Sequence, residues 1–363
     1  MLNYSIHTYE LYAELNYYET TMIYKNLKKL NASIQTCSEA TNNFKIQMYY
    51  FTFRKLPYPG INSIKLTIIK GKKGIIKHHL YITLNPYNAL HSISYSDENI
   101  INSLQIETAL HIIENNIMQI LPPYIYQRLS LFRADFCVNI KFQTQLQAEE
   151  YIKLLRLGIP PKALHEHLTL DKVQHRYVPY LESLLLECNS YTFQIYSKYA
   201  QMQSKNLRQS HIDAAVGIVR FELRAEKNKI TQLQSKYKDL LSDNSYTTFL
   251  CAAPYIAKQE ITDLLNKMVG RKDFHSFAHT ISEIERSNLK DTSLMIDITK
   301  YFLRKKYCPD LLEHFNLTHD KWKKILKKYN EIDCSPISVP PSFSLSTYPG
   351  IDSWEEYFSH EHD

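Results

Sequence analysis

The chain has 363 residues, which exceeds one average domain and predicts one large domain with a smaller appendage. Apolar residues make up 44% and charged residues 22%, a balance that excludes a largely disordered chain. A formal net charge of +6 suits an anionic partner such as nucleic acid, although proteins without such a partner share this property.

Cysteine spacing and hydropathy indicate which cellular compartment to expect. The six cysteines include no Cys-x-x-Cys pair, so the sequence suggests neither a zinc knuckle nor a disulfide framework. No apolar stretch approaches the roughly 20 residues that span a bilayer, and the first residues lack a basic region followed by an apolar run. We therefore expect a soluble cytoplasmic protein with no membrane partner.

In chain order, residues 1–265 mix short alternating segments with helical ones and contain no Gly/Pro/Ser linker, which predicts a single α+β domain. The predicted strands are 46–54, 64–70, 75–85, 131–140, 191–198 and 217–226. The predicted helices of this domain are 99–121, which ends at a proline pair, and 145–157.

Residues 266–334 show only helical periodicity and predict a small helical domain, whereas the proline- and serine-rich residues 335–363 predict a flexible tail. The predicted helices here are 293–306, 308–314 and 316–332. In the last of them Thr318 is the expected N-cap and Asp320 lies in the first turn. The outward-facing lysines include Lys321, Lys324 and Lys328. Two interpretations stay open, an ordinary amphipathic helix and a helix-turn-helix-like unit whose lysines bind DNA phosphates.

Four predicted strands carry chemically similar polar faces, because side chains alternate across a strand. Strand 131–140 separates an apolar face from a polar one; the apolar residues are Phe132, Ala134, Phe136, Val138 and Ile140, and the polar set includes Arg133, Asp135 and Asn139. Strand 217–226 places Arg220, Glu222, Arg224 and Glu226 together. Strand 191–198 places Tyr196 with Lys198, and strand 75–85 carries His79. These could be solvated faces of antiparallel strands, but exposed ion pairs contribute only ~0 to 1 kcal/mol and give little reason for the repetition.

The same residues suit phosphodiester cleavage, which needs a nucleophile, a divalent ion that polarises the scissile phosphate and cations that hold the backbone. Tyr196 could be the nucleophile. Asp135 and Glu222, with His79, could bind a divalent ion. Four cations could hold the DNA backbone, namely Lys198, Arg133, Arg220 and Arg224. The structural alternative is a half-buried strand tyrosine beside a network of ion pairs.

Three blocks of sequence resemble the replication initiators of filamentous phages (gene II protein) and their relatives on plasmids and integrated elements. The first is F-R-A-D-F-C-V-N-I at 132–140, similar to an Arg-Ile-Asp strand of that family. The second is Y-T-F-Q-I-Y-S-K-Y at 191–199, similar to a strand that ends in Tyr-x-Lys. The third is A-V-G-I-V-R-F-E-L-R-A-E at 215–226, similar to Gly-Leu-Val-Arg-Phe-Glu-x-Arg.

The resemblance implies an antiparallel-sheet fold of the HUH-endonuclease class and a rolling-circle initiator that nicks origin DNA, single-stranded or in a hairpin. It implies Tyr196 as the nucleophile with Lys198 beside it, Asp135 and Glu222 as metal carboxylates, and Mg²⁺ or Mn²⁺ as the cofactor. Host helicase and polymerase are the further partners it implies. The family's C-terminal region also favours DNA contact by the lysine helix.

One position departs from the family pattern, because Gln201 stands where an acidic residue often follows the tyrosine. Tyr199 is a candidate second nucleophile. The triplet from His165 to His167 lacks the apolar residue between the histidines and follows a proline pair, so we expect it at the surface in a loop or helix start. The histidines of the acidic tail, His360 and His362, are expected to be inert.

Other functions remain open on the sequence alone. A non-catalytic DNA-binding regulator would use the same basic surface and leave Tyr196 structural. A structural protein would show no salt-dependent DNA binding. A tyrosine recombinase is disfavoured, since its two-arginine and histidine set is not evident. The sequence does not reveal the origin, the metal, the oligomeric state or the genetic element.

Overall fold

The structure, a computed structural model, describes residues 2–30, 32–40, 47–71, 74, 76–91, 100–171, 176–179, 183–243, 245–305, 308 and 310–359. Its strands are β1 (Tyr4–Leu15), β2 (Ser33–Ala40), β3 (Gln47–Arg54), β4 (Ile61–Lys70), β5 (Ile76–Leu84), β6 (Ser130–Lys141), β7 (His165–Glu166), β8 (Leu168–Asp171), β9 (Arg176–Pro179), β10 (Ser183–Glu187), β11 (Tyr191–Ser197) and β12 (Ile218–Glu226). Its α-helices are α1 (Tyr17–Lys29), α2 (Pro86–Leu90), α3 (Ile106–Met118), α4 (Pro123–Tyr126), α5 (Gln145–Arg156), α6 (Lys198–Ser204), α7 (Gln209–Ala214), α8 (Lys227–Lys236), α9 (Tyr246–Cys251), α10 (Ala253–Val269), α11 (Phe277–Arg286), α12 (Thr292–Arg304), α13 (Leu311–His314), α14 (His319–Glu331) and α15 (Trp354–Ser359).

A ten-stranded sheet dominates the fold, in the order β2-β3-β4-β5-β1-β6-β12-β11-β10-β7, and β8 pairs with β9 separately. The strand pairs with a described register are antiparallel. The predicted α+β class is therefore confirmed. Residues Ile46, Ile75 and Asn99, which begin three of the predicted elements, lie outside the described residues. Among the helices within the described ranges, none is long and apolar enough to cross a bilayer.

The chain forms two compact units that are both discontinuous in sequence. The N-unit comprises Asn3–Phe136 and Arg224–Ala257, and the C-unit comprises Met1–Leu2, Cys137–Leu223 and Lys258–Asp363. The predicted boundaries at residues 265 and 334 do not coincide with this division. A sheet brings together strands that are distant in the chain, so a linear reading of composition misses such a partition.

The N-unit core lies on one face of its strands. In register across neighbouring strands, Leu11 faces Ile82, Ile82 faces Ile64 and Ile64 faces Phe53, and all four side chains are buried. The apolar stripe of α3 is buried too. Strand β1, which the sequence reading missed, leads into α1 through Asn16, whose side chain forms a capping box with Glu19.

The C-unit core lies between its strands and their helices. Phe193 and Ile195 of β11 and Phe221 of β12 are fully buried. The approach to β12 turns at Gly217, where φ is +76° and an added Cβ would lie 2.2 Å from the carbonyl oxygen of Phe142. Only glycine fits a left-handed backbone at this close approach, which explains the glycine at the start of the third motif block.

The expected flexible tail is instead packed through its described residues, which end at residue 359. Trp354 is 1% exposed, and its indole nitrogen donates a hydrogen bond to the Tyr151 hydroxyl at 2.9 Å. The Tyr348 hydroxyl donates to the buried Glu150 carboxylate. The prolines and serines of this segment led to the prediction of a flexible tail. Its aromatic side chains instead pack it against the C-unit. His360 and His362 lie outside the described residues.

Helix α14 follows the sequence prediction closely. The Thr318 side chain accepts a hydrogen bond from the Lys321 backbone amide at 3.2 Å, so it caps the helix as expected. The expected apolar stripe is buried and comprises Trp322, Ile325, Leu326 and Tyr329. The helix begins at His319, three positions later than predicted, because Asn316 has a left-handed φ of +50°.

Candidate active site

In the N-unit, Asp135 of β6 is the centre of a charged cluster. Its side chain is nearly buried, and Thr8 of β1 donates its hydroxyl to Oδ2. The Nε atoms of Arg133 and Arg224 each lie 3.2 Å from Oδ1. Two guanidinium groups therefore neutralise one carboxylate, which matches the structural ion-pair alternative that the sequence left open.

Two further carboxylates belong to the surroundings of this cluster. Burial raises the pKa of the Glu226 carboxyl, and the nearby charges of Asp135 and Glu10 act in the same direction. Glu10 also accepts a hydrogen bond from the Thr83 hydroxyl at 3.1 Å. The N-unit thus holds several carboxylates on neighbouring strands. Arg133 and Arg224 reduce the electrostatic repulsion between them.

His79, the expected third metal ligand, is bound to a tyrosine. Its Nδ1 lies 2.7 Å from the Tyr12 hydroxyl, and in register it faces Glu14. Burial lowers the pKa of His79, while burial and Glu14 raise the pKa of Tyr12 to about 12. The imidazole is therefore neutral near pH 7 and engaged in a local hydrogen bond.

The predicted alternation of 131–140 fails at its start. Phe132 was placed on the apolar face, but its ring centroid lies 5.7 Å from that of Tyr12 and 5.3 Å from that of Tyr81. Phe132 therefore joins the aromatic side chains on the polar face.

In the C-unit, the candidate nucleophile meets one of the candidate carboxylates. Tyr196 of β11 donates its hydroxyl to Oε2 of Glu222 on the neighbouring strand β12 at 3.1 Å. The residues are 5% and 6% exposed, respectively. Ser197 ends β11 and caps α6, which fixes the backbone directly after the tyrosine. The polar face is thus covered at this point, contrary to the solvated-face alternative.

Lys198 lies next to this pair, but in a different element from the one predicted. It is the first residue of α6 and not the end of a strand. Its Nζ donates to the side-chain oxygen of Gln201 at 2.7 Å and lies 5.8 Å from the centroid of the Tyr196 ring. Gln201, where the family often has an acid, therefore positions the lysine nearest the tyrosine.

The remaining candidates near Tyr196 have structural contacts. Arg220 is fully buried and its Nε donates to Asn139 at 2.8 Å, so in this arrangement it offers no exposed guanidinium to DNA. Tyr199 accepts a hydrogen bond from Gln203 at 2.8 Å and packs against a small apolar cluster around Met202. Its role as a second nucleophile stays a prediction.

His165 and His167 are exposed, as expected, whereas the Glu166 side chain is nearly buried and pairs with Arg156 at 3.5 Å, and the triplet is not in a loop or helix start. His165 and Glu166 form the short strand β7, and His167 pairs with Glu187 at 2.8 Å. Pairing with β10 holds this segment in an extended conformation. The preceding proline pair gave no indication of that partner strand.

The lysines of α14 divide into two groups. Lys321 and Lys324 are exposed. Lys328 donates to the backbone oxygen of Lys290 at 2.8 Å and pairs with Asp291. Lys321 and Lys324 thus extend into solvent, where phosphate could be reached, as do the exposed Lys323 and Lys327 of the same helix.

The sequence reading did not identify Thr8, Glu10 or Tyr12 of β1 as site residues. Their spacing of two was a usable signal, because Thr8, Glu10, Tyr12 and Glu14 alternate with apolar residues in the printed sequence. Register with β5 then places three of them beside Thr83, Tyr81 and His79.

No protein-family profile and no curated protein matches the chain. Among solved structures, the chain is similar to one described as the rolling circle replication initiator protein from Geobacillus stearothermophilus. The TM-score is 0.34 and the sequence identity is 9%, over 93% of this chain and 98% of that chain. A similarity of this size carries no argument about function.

Proposed function

We propose that the protein is a rolling-circle replication initiator that nicks one strand of its origin through Tyr196. The product is a 5′-phosphotyrosine link on the protein and a free 3′-hydroxyl that primes synthesis. Origin DNA is the substrate, and host helicase and polymerase are the expected partners. The observation that carries the proposal is the hydrogen bond from the Tyr196 hydroxyl to the Glu222 carboxylate at 3.1 Å.

A phenol next to a carboxylate has the partner that activation of a nucleophile requires. In the proposed step, the Tyr196 oxygen bonds to the scissile phosphorus as its proton passes to Glu222. The bond from phosphorus to the 3′-oxygen breaks, and that oxygen takes a proton from solvent water to become the 3′-hydroxyl. The Lys198 ammonium, 5.8 Å from the centroid of the tyrosine ring, supplies positive charge near the phosphate.

The metal prediction fits the described side chains poorly as they stand. Asp135 is already bound by Thr8, Arg133 and Arg224, and two guanidinium groups repel a divalent cation. His79 is bound to Tyr12. No step of the proposed reaction is therefore assigned to a metal, and dependence on Mg²⁺ or Mn²⁺ stays a prediction that a chelator tests.

The burial of Tyr196 favours the second candidate function, a non-catalytic DNA-binding regulator. At 5% exposure the tyrosine is covered, so cleavage requires local opening before a phosphate reaches its oxygen. A regulator needs no such opening, and the hydrogen bond to Glu222 would then be purely structural.

The test is cleavage of a supercoiled plasmid that carries the protein's own gene and flanks, with Mg²⁺, with Mn²⁺ and with EDTA. A nicked circle and a DNA adduct on Tyr196 are expected. Trypsin cuts after Lys198 and so separates Tyr196, in peptide 177–198, from Tyr199, in peptide 199–205. The peptide mass therefore separates an adduct on Tyr199 from one in 177–198, and fragmentation of that peptide distinguishes Tyr196 from Tyr177, Tyr180 and Tyr191.

Tyr196→Phe should abolish both nick and adduct, whereas Tyr199→Phe, the matched control, should keep both. Glu222→Gln preserves side-chain size but removes the proton acceptor, and it should slow cleavage by about 10²- to 10⁴-fold. If the unmutated protein binds cognate DNA but forms neither nick nor adduct, the nuclease proposal is wrong and the DNA-binding regulator is the better interpretation.

A further inference from the structure

A group of metal-ligand side chains lies in the C-unit, away from the residues considered so far. His275, His279 and Cys334 place one ligand atom each within 4.8 Å of one another. The two imidazole rings are 4.3 Å apart between centroids. His279 is exposed and Cys334 is 1% exposed, so the group extends from the surface to the core.

Backbone contacts fix these side chains from two distant parts of the chain. Ser276 caps α11, so His275 and His279 lie on either side of the first turn of the helix. The Ser335 amide donates to the Asp273 oxygen at 2.9 Å, and the Val339 amide donates to the His275 oxygen at 2.8 Å. The segment that carries Cys334 is therefore bound alongside the start of α11.

We propose that His275, His279 and Cys334 bind a zinc ion. Two imidazole nitrogens and one thiolate are a donor set that zinc prefers and that Mg²⁺ and Ca²⁺ do not. Ligand atoms around tetrahedral zinc are about 3.3 to 3.8 Å apart, given bond lengths of ~2.0 to 2.3 Å. The three atoms need only small side-chain rotations to reach that spacing.

Outer contacts support the arrangement. His275 makes a hydrogen bond to the backbone of Asp333, and Cys334 makes one to the Thr280 side chain. Such contacts orient metal ligands and fix the imidazole tautomer. Binding releases the thiol proton, and water completes the fourth position.

The consequence is a cross-link between the start of α11 and the segment after α14. Zinc would join residues that are far apart in the sequence and stabilise the C-unit. This site is independent of the proposed nicking reaction, because none of its ligands belongs to the Tyr196 region. Failure of either proposal leaves the other untouched.

The test is titration of the reduced, chelator-treated 363-residue chain with Co²⁺, which replaces zinc and reports thiolate ligation optically. We expect a thiolate-to-cobalt band in the near ultraviolet, saturation at one ion per chain, and displacement of cobalt by Zn²⁺. Zinc in excess should raise the melting temperature by about 5 °C or more. Absence of the band would overturn the proposal.

Cys334→Ser should remove the band, whereas Cys308→Ser, which changes another buried cysteine of the same unit, should keep it. Because loss of a buried thiol can disturb folding, His279→Ala at an exposed position provides the second test. It should weaken cobalt binding at least tenfold with an unchanged far-ultraviolet circular dichroism spectrum. Equal binding by His279→Ala and the unmutated protein would also overturn the proposal.

Discussion

Replacement of Asp135 by asparagine distinguishes a structural ion-pair cluster from a metal ligand. Asparagine keeps the size of the side chain but leaves Arg133 and Arg224 without a negative partner. Breaking a fully buried ion pair costs about 3 to 5 kcal/mol. The two arginine side chains are 22% and 42% exposed, so water recovers part of that loss. We expect a destabilisation of about 2 to 3 kcal/mol.

The assay is urea unfolding followed by circular dichroism, without added metal, with Asp239→Asn as the control. Asp239 is exposed, and its replacement should change the free energy of unfolding by less than about 0.5 kcal/mol. An equally small change for Asp135→Asn would refute the ion-pair reasoning. Stabilisation of the unmutated protein by Mn²⁺, absent in Asp135→Asn, would instead support the predicted metal role.

Two further predictions concern the C-unit. Trp354→Ala should destabilise it by about 3 to 5 kcal/mol in urea unfolding, because the buried indole packs on Phe221 with ring centroids 4.9 Å apart. A loosely held tail would show almost no change. The double variant Lys321→Ala and Lys324→Ala should reduce the slope of log Kobs against log salt by about 2, measured by fluorescence anisotropy with DNA. Lys328→Ala, whose lysine pairs with Asp291, should leave that slope unchanged, and equal slopes for all variants would contradict DNA contact by α14.

Several elements could be predicted from the sequence because their signal is local. Strands β6, β11 and β12 alternate strongly, and the structure places each within one or two residues of its predicted bounds. The start of α14 is marked by Thr318, whose short polar side chain satisfies a free backbone amide without any tertiary partner.

Other features depended on partners that periodicity does not encode. Lys198 begins a helix because Ser197 caps it, although the strand pattern continues through both residues. Phe132 lies on the polar face, where its ring packs against Tyr12 and Tyr81. The Ser197 cap outweighed the strand pattern at Lys198, and packing against neighbouring strands outweighed it at Phe132.

The sequence by itself determined the α+β class and the polar faces of the strands, apart from Phe132 and Lys198. Only the tertiary structure decided which polar and charged side chains are partners. Asp135 is bound by Thr8 and Arg224, which are distant in the chain, while Glu222 is bound by Tyr196. The same holds for Cys334 beside His275, a pairing with no spacing motif. Electrostatic and hydrogen-bond energies depend on distance in space, which side-chain periodicity along one segment cannot specify.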